Sequence, residues 1–167
     1  MTARLIASAA EIGQTRWNAL ANPDDVTDPH PFTTYEFFAA LEESGSACAK
    51  TGWQPAHLLA DGGLMPLYLK SHSYGEYVFD HAWAEALERA GGDYYPKLQC
   101  AVPFTPVTGR RLLGHASELL LKTATSATKQ IGASSLHITF LTREEWLAAG
   151  DARPCQGGAA APGSGGH

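Results

Sequence analysis

The segment Ser71-His-Ser-Tyr-Gly-Glu-Tyr-Val-Phe-Asp-His81 gathers His72, Glu76, Asp80 and His81, the densest group of titratable side chains in the chain. Such a group is suited to general acid/base chemistry. A carboxylate or neutral imidazole takes a proton from an attacking group and returns one to a leaving group. Glu76, Asp80 and His72 are therefore the candidate catalytic residues. Neighbouring residues on a strand point to opposite faces, so Asp80 and His81 do not converge on one metal, and Asp80 also suits a loop or cap. No HExxH-type spacing supplies further ligands, and Cys48, Cys100 and Cys155 form no CxxC pair. Neither a metal site nor a disulfide framework is expected. Nucleophile motifs are missing as well: there is no GxSxG, and no cysteine has a histidine close by in sequence.

Two further patterns carry chemistry. Tyr68, Tyr74, Tyr77, Phe79, Trp83, Tyr94, Tyr95 and Phe104 make up half of the chain's four Trp, six Tyr and six Phe. They read either as a core with its rim or as the wall of a cleft. Tyr74, Tyr77 and Trp83 are the candidate substrate-binding residues, because such rings offer apolar area with a polar tip. The second pattern is Arg111-Leu-Leu-Gly-His-Ala116, which fits Arg/Gln-x-x-Gly-x-Gly/Ala between a strand candidate and a long helix. It reads either as an ordinary loop and helix start or as a cradle for a pyrophosphate. In the second case Gly109 and Gly114 allow close approach, Arg110 and Arg111 supply charge, and free N–H groups begin at Ala116.

The elements that must position these residues are well punctuated. A strand at Leu5–Ile6 precedes Ser8 and Glu11, which form a capping box. Thr33 with Glu36 reads as a second box and Thr142 with Glu145 as a third. Phe32 is placed to staple Phe37, and Phe37, Phe38 and Leu41 face the core. His57–Ala60 and Leu64–Leu69 flank Asp61-Gly-Gly63 as a hairpin, with Pro66 marking an edge or bulge. Tyr77–Asp80 reads as extended, Trp83–Ala90 as a helix, Lys97–Val102 as a strand, Glu118–Ile131 as a helix and Ser135–Leu141 as a strand. The order predicts an α/β fold: one mixed, twisted sheet flanked by helices on both faces.

Composition sets the outer limits. With 167 residues and 44% apolar side chains, the chain suits one domain with one core. Twelve Lys and Arg against 17 Asp and Glu give a net charge of −5. That balance argues against a DNA partner and does not support tRNA binding. No run of 18 apolar residues and no secretory leader is visible, so a cytoplasmic location is expected. Residues 1–149 read as the domain. Residues 150–167, rich in Gly, Ala and Pro, read as a disordered tail.

Several blocks carry a family resemblance. They are Thr51-Gly-Trp-Gln-Pro-x-His-Leu, Pro66-Leu-Tyr-Leu-Lys-Ser-His-Ser-Tyr-Gly-Glu-Tyr-Val-Phe-Asp-His-x-Trp-Ala, Tyr94-Tyr-Pro-Lys-Leu-Gln, Val102-Pro-Phe-Thr-Pro-Val-Thr-Gly and Ser135-Leu-His-Ile-Thr-Phe-Leu. Together they resemble the FemAB-like, GNAT-superfamily proteins of the peptidoglycan biosynthesis group, over nearly all of residues 5 to 147. The resemblance implies a GNAT-like half-domain and acyl or aminoacyl transfer to an amine of a cell-wall precursor or peptide. Acyl-CoA or aminoacyl-tRNA would be a co-substrate, and no cofactor would be permanently bound. It carries over no catalytic residue. Members are about twice as long, so the chain resembles their first half, a truncated transferase. The alternative expectation is a non-catalytic half-domain that binds a peptide or a partner subunit.

Overall fold

The computed structural model describes residues 3–24, 29–77 and 81–151. The chain runs β1 (Ala3–Ile6), α1 (Ala9–Ile12), α2 (Gln14–Ala21), α3 (Tyr35–Glu43), β2 (Trp53–Pro55), β3 (His57–Ala60), β4 (Gly63–Met65), β5 (Leu67–Lys70), α4 (His81–Arg89), β6 (Lys97–Cys100), β7 (Leu113–Gly114), α5 (Ser117–Gln130), β8 (Leu136–Ile138) and α6 (Arg143–Asp151). Short 3₁₀ turns occupy Pro31–Thr33 and Ala49–Thr51. The fold is mixed α/β, as the element order predicts. The expected extended piece Tyr77–Asp80 and the expected disordered tail lie almost wholly outside the described residues.

The strands divide into two four-stranded sheets, β1-β3-β4-β7 and β2-β5-β6-β8, where one sheet was expected. The reason lies in one hairpin shared by both. Trp53 faces Lys70 and Pro55 faces Tyr68 in the second sheet, while Leu58 faces Met65 and Ala60 faces Gly63 in the first. The register never slips, and Ala56 N–H still donates to the Leu67 carbonyl at 2.9 Å. Pro66 has no N–H to donate, so the ladder breaks there and the hairpin passes from one sheet into the other. All pairs are antiparallel except β6 with β8, which is parallel and is reached through α5.

Because side chains alternate along strands, this hairpin has two distinct faces. One presents Leu58, Ala60, Met65 and Leu67, joined by Leu98 and Cys100, to Leu120 and Ala124 of α5. The other presents Leu59, Leu64, Tyr68 and Trp53 to Trp17 and Phe38 of the helices α2 and α3. Helices therefore cover both sides.

Two of the three capping boxes form. Glu11 N–H donates to Ser8 Oγ at 3.3 Å, with Ser8 Oγ returning to Glu11 at 3.4 Å. Glu145 N–H donates to Thr142 Oγ1 at 3.3 Å, and Thr142 N–H to the Glu145 carboxylate at 3.4 Å. The box at Thr33 and Glu36 does not form. Thr33 ends the 3₁₀ turn and donates to the His30 carbonyl, and Glu36 instead takes hydrogen bonds from Gln14 and Asn18. The Phe32–Phe37 staple is present, with ring centroids 5.2 Å apart. Phe37 and Leu41 are half-buried against the core, and Phe38 carries the fully buried position. Phe38→Ala should therefore lower stability by about 3–5 kcal/mol, and Leu41→Ala by distinctly less. Urea unfolding of both variants checks the order.

Candidate functional site

The inner face of β5 and β6 changes character toward one end. Tyr68 and Lys70 on β5 stand opposite Gln99 and Lys97 on β6, and Gln99 stands opposite His137 on β8. The alternate residues Leu67, Leu69, Leu98 and Cys100 belong to the apolar face that meets α5. A polar sheet face is ordinarily left to water. Here it is closed off: Tyr68, Lys70, Lys97 and Gln99 are all 0% exposed.

The cover is the segment 71–77. Ser73-Tyr-Gly-Glu76 is a turn in which Glu76 N–H donates to the Ser73 carbonyl at 3.3 Å. Gly75 takes φ +78°, the positive value that the third position of such a turn asks for. A Cβ on Gly75 would lie 2.6 Å from the Phe104 ring, and Phe104 N–H donates to the Gly75 carbonyl at 3.2 Å. The turn sets the first and last side chains, Ser73 and Glu76, side by side over the lysines.

The result is a buried polar cluster. Lys97 Nζ donates to Glu76 Oε2 at 2.9 Å and to Ser73 Oγ at 3.0 Å. Ser73 Oγ and the Tyr95 hydroxyl share a 2.6 Å hydrogen bond. Lys70 Nζ lies 3.9 Å from Glu76 Oε1, donates to the Tyr74 carbonyl at 3.3 Å and sits 3.6 Å above the Trp53 ring. Burial pulls the Lys70 ammonium down to about 8, against the Glu76 charge that holds it up, with the Lys97 charge adding to the fall. His72 is also lowered, by burial first and then by the Lys70 charge. Its Nδ1 accepts from Tyr74 N–H at 3.2 Å.

Beside this cluster lies a cavity of about 160 Å³, lined by His72, Ser73, Tyr74 and Tyr95 and by Ala84, Glu85 and Glu88 of α4. Sites for whole drug-sized ligands are roughly 300–1,000 Å³, so this one holds the reacting end of a ligand. Tyr74, Tyr77 and Trp83 stand 69%, 56% and 75% exposed in the two segments that line it.

Of the residues predicted to do acid/base chemistry, Glu76 lies in the buried cluster and His72 on the cavity wall. Asp80 lies outside the described residues. The aromatic group is split between roles: Tyr68 is core, Tyr95 is cavity wall, and Tyr74, Tyr77 and Trp83 are exposed. Lys70, Ser73, Tyr95, Lys97 and Gln99 were not singled out by type or spacing. Their signal was the strand alternation Leu-Tyr-Leu-Lys70 and Lys97-Leu-Gln-Cys, which marks a face with polar residues on it.

Gly109, Arg110, Arg111, Gly114 and Ala116 come together elsewhere, around β7. Arg111 is 1% exposed, and its guanidinium donates to the carbonyls of Val107, Gly109, Arg110 and Thr139. Arg110 donates to the carbonyls of Leu112 and Gly114. The N–H groups of Arg111 and Leu112 donate to the Glu145 carboxylate at 3.0 and 2.8 Å. The close approach that Gly114 permits is to the Gly62 carbonyl, 2.3 Å from a Cβ placed there. A pyrophosphate can use this loop only by displacing Glu145 from it.

A family model described as peptidoglycan biosynthesis/recognition, FemAB-like, matches residues 8–156. The chain belongs to the FemAB-like family. No curated protein and no solved structure matches it. In this FemAB-like chain no described helix is long and apolar enough to cross a membrane. Among the described residues, no group of three His, Cys, Asp or Glu is placed to hold a metal ion.

The Lys70 shift makes a signed prediction. Below pH 8 Lys70 is charged both folded and unfolded, and above 10.5 it is neutral in both. In between, the unfolded chain holds a proton that the folded chain has released, so folding stability rises with pH. The stability of the wild type relative to Lys70→Met should climb from about pH 8 to about 10.5. Urea midpoints measured across that interval check it, and a constant difference contradicts it.

Proposed function

We propose that the chain serves acyl or aminoacyl transfer to an amine of a peptidoglycan precursor, with the reacting end of the acceptor in the cavity beside Tyr95. The family supports the peptidoglycan role. The observation that carries the reading is the continuous hydrogen-bonded line from the cavity wall into the interior, Tyr95–Ser73–Lys97–Glu76. An amine attacking an acyl carbon must lose a proton, and a line of polar groups ending in a carboxylate is a route for it. His72 and Glu76 are the acid/base candidates of this reading, together with Asp80 in the adjoining stretch. The donor is an activated acyl or aminoacyl ester, acyl-CoA or aminoacyl-tRNA, in the cytoplasm. GNAT-superfamily kinship belongs to the same reading. For acyl-CoA, the 109–116 loop takes the pyrophosphate in place of Glu145.

A second reading rests on the exposed rings. Tyr74, Tyr77 and Trp83 keep more than half of their surface in water beside the cavity. Such rings also suit a half-domain that binds a peptide or partner subunit without catalysis.

Calorimetric titration with the tripeptide L-Ala-γ-D-Glu-L-Lys, which carries a free ε-amine, tests both readings. Binding is expected in the wild type and about tenfold weaker in a Tyr74→Ala/Trp83→Ala variant, a loss of about 1.4 kcal/mol. Mass spectrometry of the peptide after incubation with acetyl-CoA or alanyl-tRNA then separates the readings. An acylated ε-amine supports transfer, and binding with no acylation from either donor leaves the binding module. No binding at all overturns both.

A further inference from the structure

The cluster beside the cavity contains more than a proton route. Ser73 lines the cavity wall, yet it is 5% exposed and therefore held in a narrow orientation. Its Oγ lies 3.0 Å from Lys97 Nζ, and Lys97 Nζ lies 2.9 Å from Glu76 Oε2. The Tyr95 hydroxyl meets the same Ser73 oxygen at 2.6 Å. A hydroxyl within hydrogen-bond reach of a base-capable group, which is itself oriented by a third residue, is the signature of an activated nucleophile. The three parts come from separated places: Ser73 and Glu76 from the two ends of one turn, and Lys97 from the first position of β6.

We propose that Ser73 is a nucleophile, forming an acyl-serine intermediate with an activated ester or thioester donor and passing the acyl group on to the acceptor amine. This deepens the transfer reading and rests on it. In the first half-reaction the Ser73 Oγ–C bond forms and the bond from the acyl carbon to the leaving group breaks. The Ser73 proton passes to Lys97 as Lys97 passes one to Glu76. The leaving oxygen or sulfur takes a proton back from this pair, restoring it. In the second half-reaction the amine nitrogen bonds to the acyl carbon and gives a proton to the Lys97–Glu76 pair. The Oγ–C bond breaks, and Ser73 Oγ recovers its proton from Lys97. No oxidant, reductant or metal enters the balance. Tyr95 holds the Ser73 hydroxyl at the cavity wall and is a positioning residue.

The geometry also explains why a buried lysine on this face is held by a side-chain hydroxyl. Main-chain carbonyls would satisfy its hydrogens equally well, as they do for Arg111. A hydroxyl is the one acceptor in that set with a proton to give away.

An alkyl fluorophosphonate carrying biotin tests the proposal, because it forms a Ser–O–P bond with activated serines and releases fluoride. The full chain is treated with the probe and the modified residue is located by peptide mass spectrometry. Labelling is expected at Ser73, absent in Ser73→Ala, and slowed by about 10²-fold or more in Lys97→Met, the usual contribution of a general base. Lys97→Arg keeps a cation beside Glu76 but cannot take up a proton, so it should fold and label as slowly. It stands in if Lys97→Met does not fold, and thermal melting of each variant decides that. Tyr95→Phe should slow labelling less than either. No label on Ser73 in the wild type, or unchanged labelling in Lys97→Arg, overturns the proposal. Tripeptide binding measured on the same preparation keeps the two failures apart. Binding without labelling removes the acyl-serine step and leaves the transfer reading standing. Labelling without tripeptide binding supports the nucleophile and removes that acceptor.

Discussion

Two lysines and a glutamate, all at or near zero exposure, sit on the inner face of a sheet whose other face is a conventional apolar surface. Removing an ion from water costs several kcal/mol even after relaxation, and only close partners in good geometry offset it. That requirement governs the structure around the cluster. The segment after β5 must turn back over the sheet so that Glu76, Ser73 and the Tyr74 carbonyl reach the two ammoniums. The turn needs Gly75 at positive φ, and it is held down by Phe104 and by the Trp53 indole N–H, which donates to the same Tyr74 carbonyl at 3.1 Å. Trp53 in turn lies under Lys70 and against Tyr68, 5.3 Å between centroids. Charge burial, cover and aromatic packing are thus one arrangement.

A second buried cation, Arg111, shows the contrast. Its acceptors are main-chain carbonyls, and it organises the chain around β7, with Glu145 capping the adjacent N–H groups from α6. This ties the last described helix to the sheet. A rigid fork with several donors suits that task, because it can gather carbonyls from both 107–110 and Thr139. Lys97 is a single mobile point charge on a flexible stem. Its acceptors are side chains, one of which lines a cavity. The same cost of burial supports scaffold in one place and a candidate reaction centre in the other.

Some of this was legible in the residues. The boxes at Ser8–Glu11 and Thr142–Glu145 form because each depends on groups three residues apart. The box at Thr33–Glu36 loses to tertiary partners: Asn18 and Gln14 of α2 reach Glu36, and the chain starts its helix at Tyr35. Pro66 was readable as a ladder break, but that the break divides two sheets depends on which strands arrive on either side. The acid/base stretch was found by density, and it does deliver Glu76 and His72 to the site. The glycine-and-arginine loop matched a pattern, yet its donors are turned inward by carbonyls and a carboxylate from as far away as Glu145.

The sequence by itself determined the α/β class, most of the element borders, the turn at Gly75 and the acid/base segment. These follow from local chemistry: caps, proline, glycine and strand alternation act within a few residues. Only the tertiary structure decided that Lys97, on a strand more than twenty residues beyond Ser73, would be the partner that joins Ser73 to Glu76. The alternation of β5 and β6 said that one face was polar, and nothing in it said whether that face met water or was sealed. Sealing depends on long-range packing, because Trp53, Tyr95 and Phe104 come from three separate segments and close over the lysines only when the shared hairpin and β6 are already side by side.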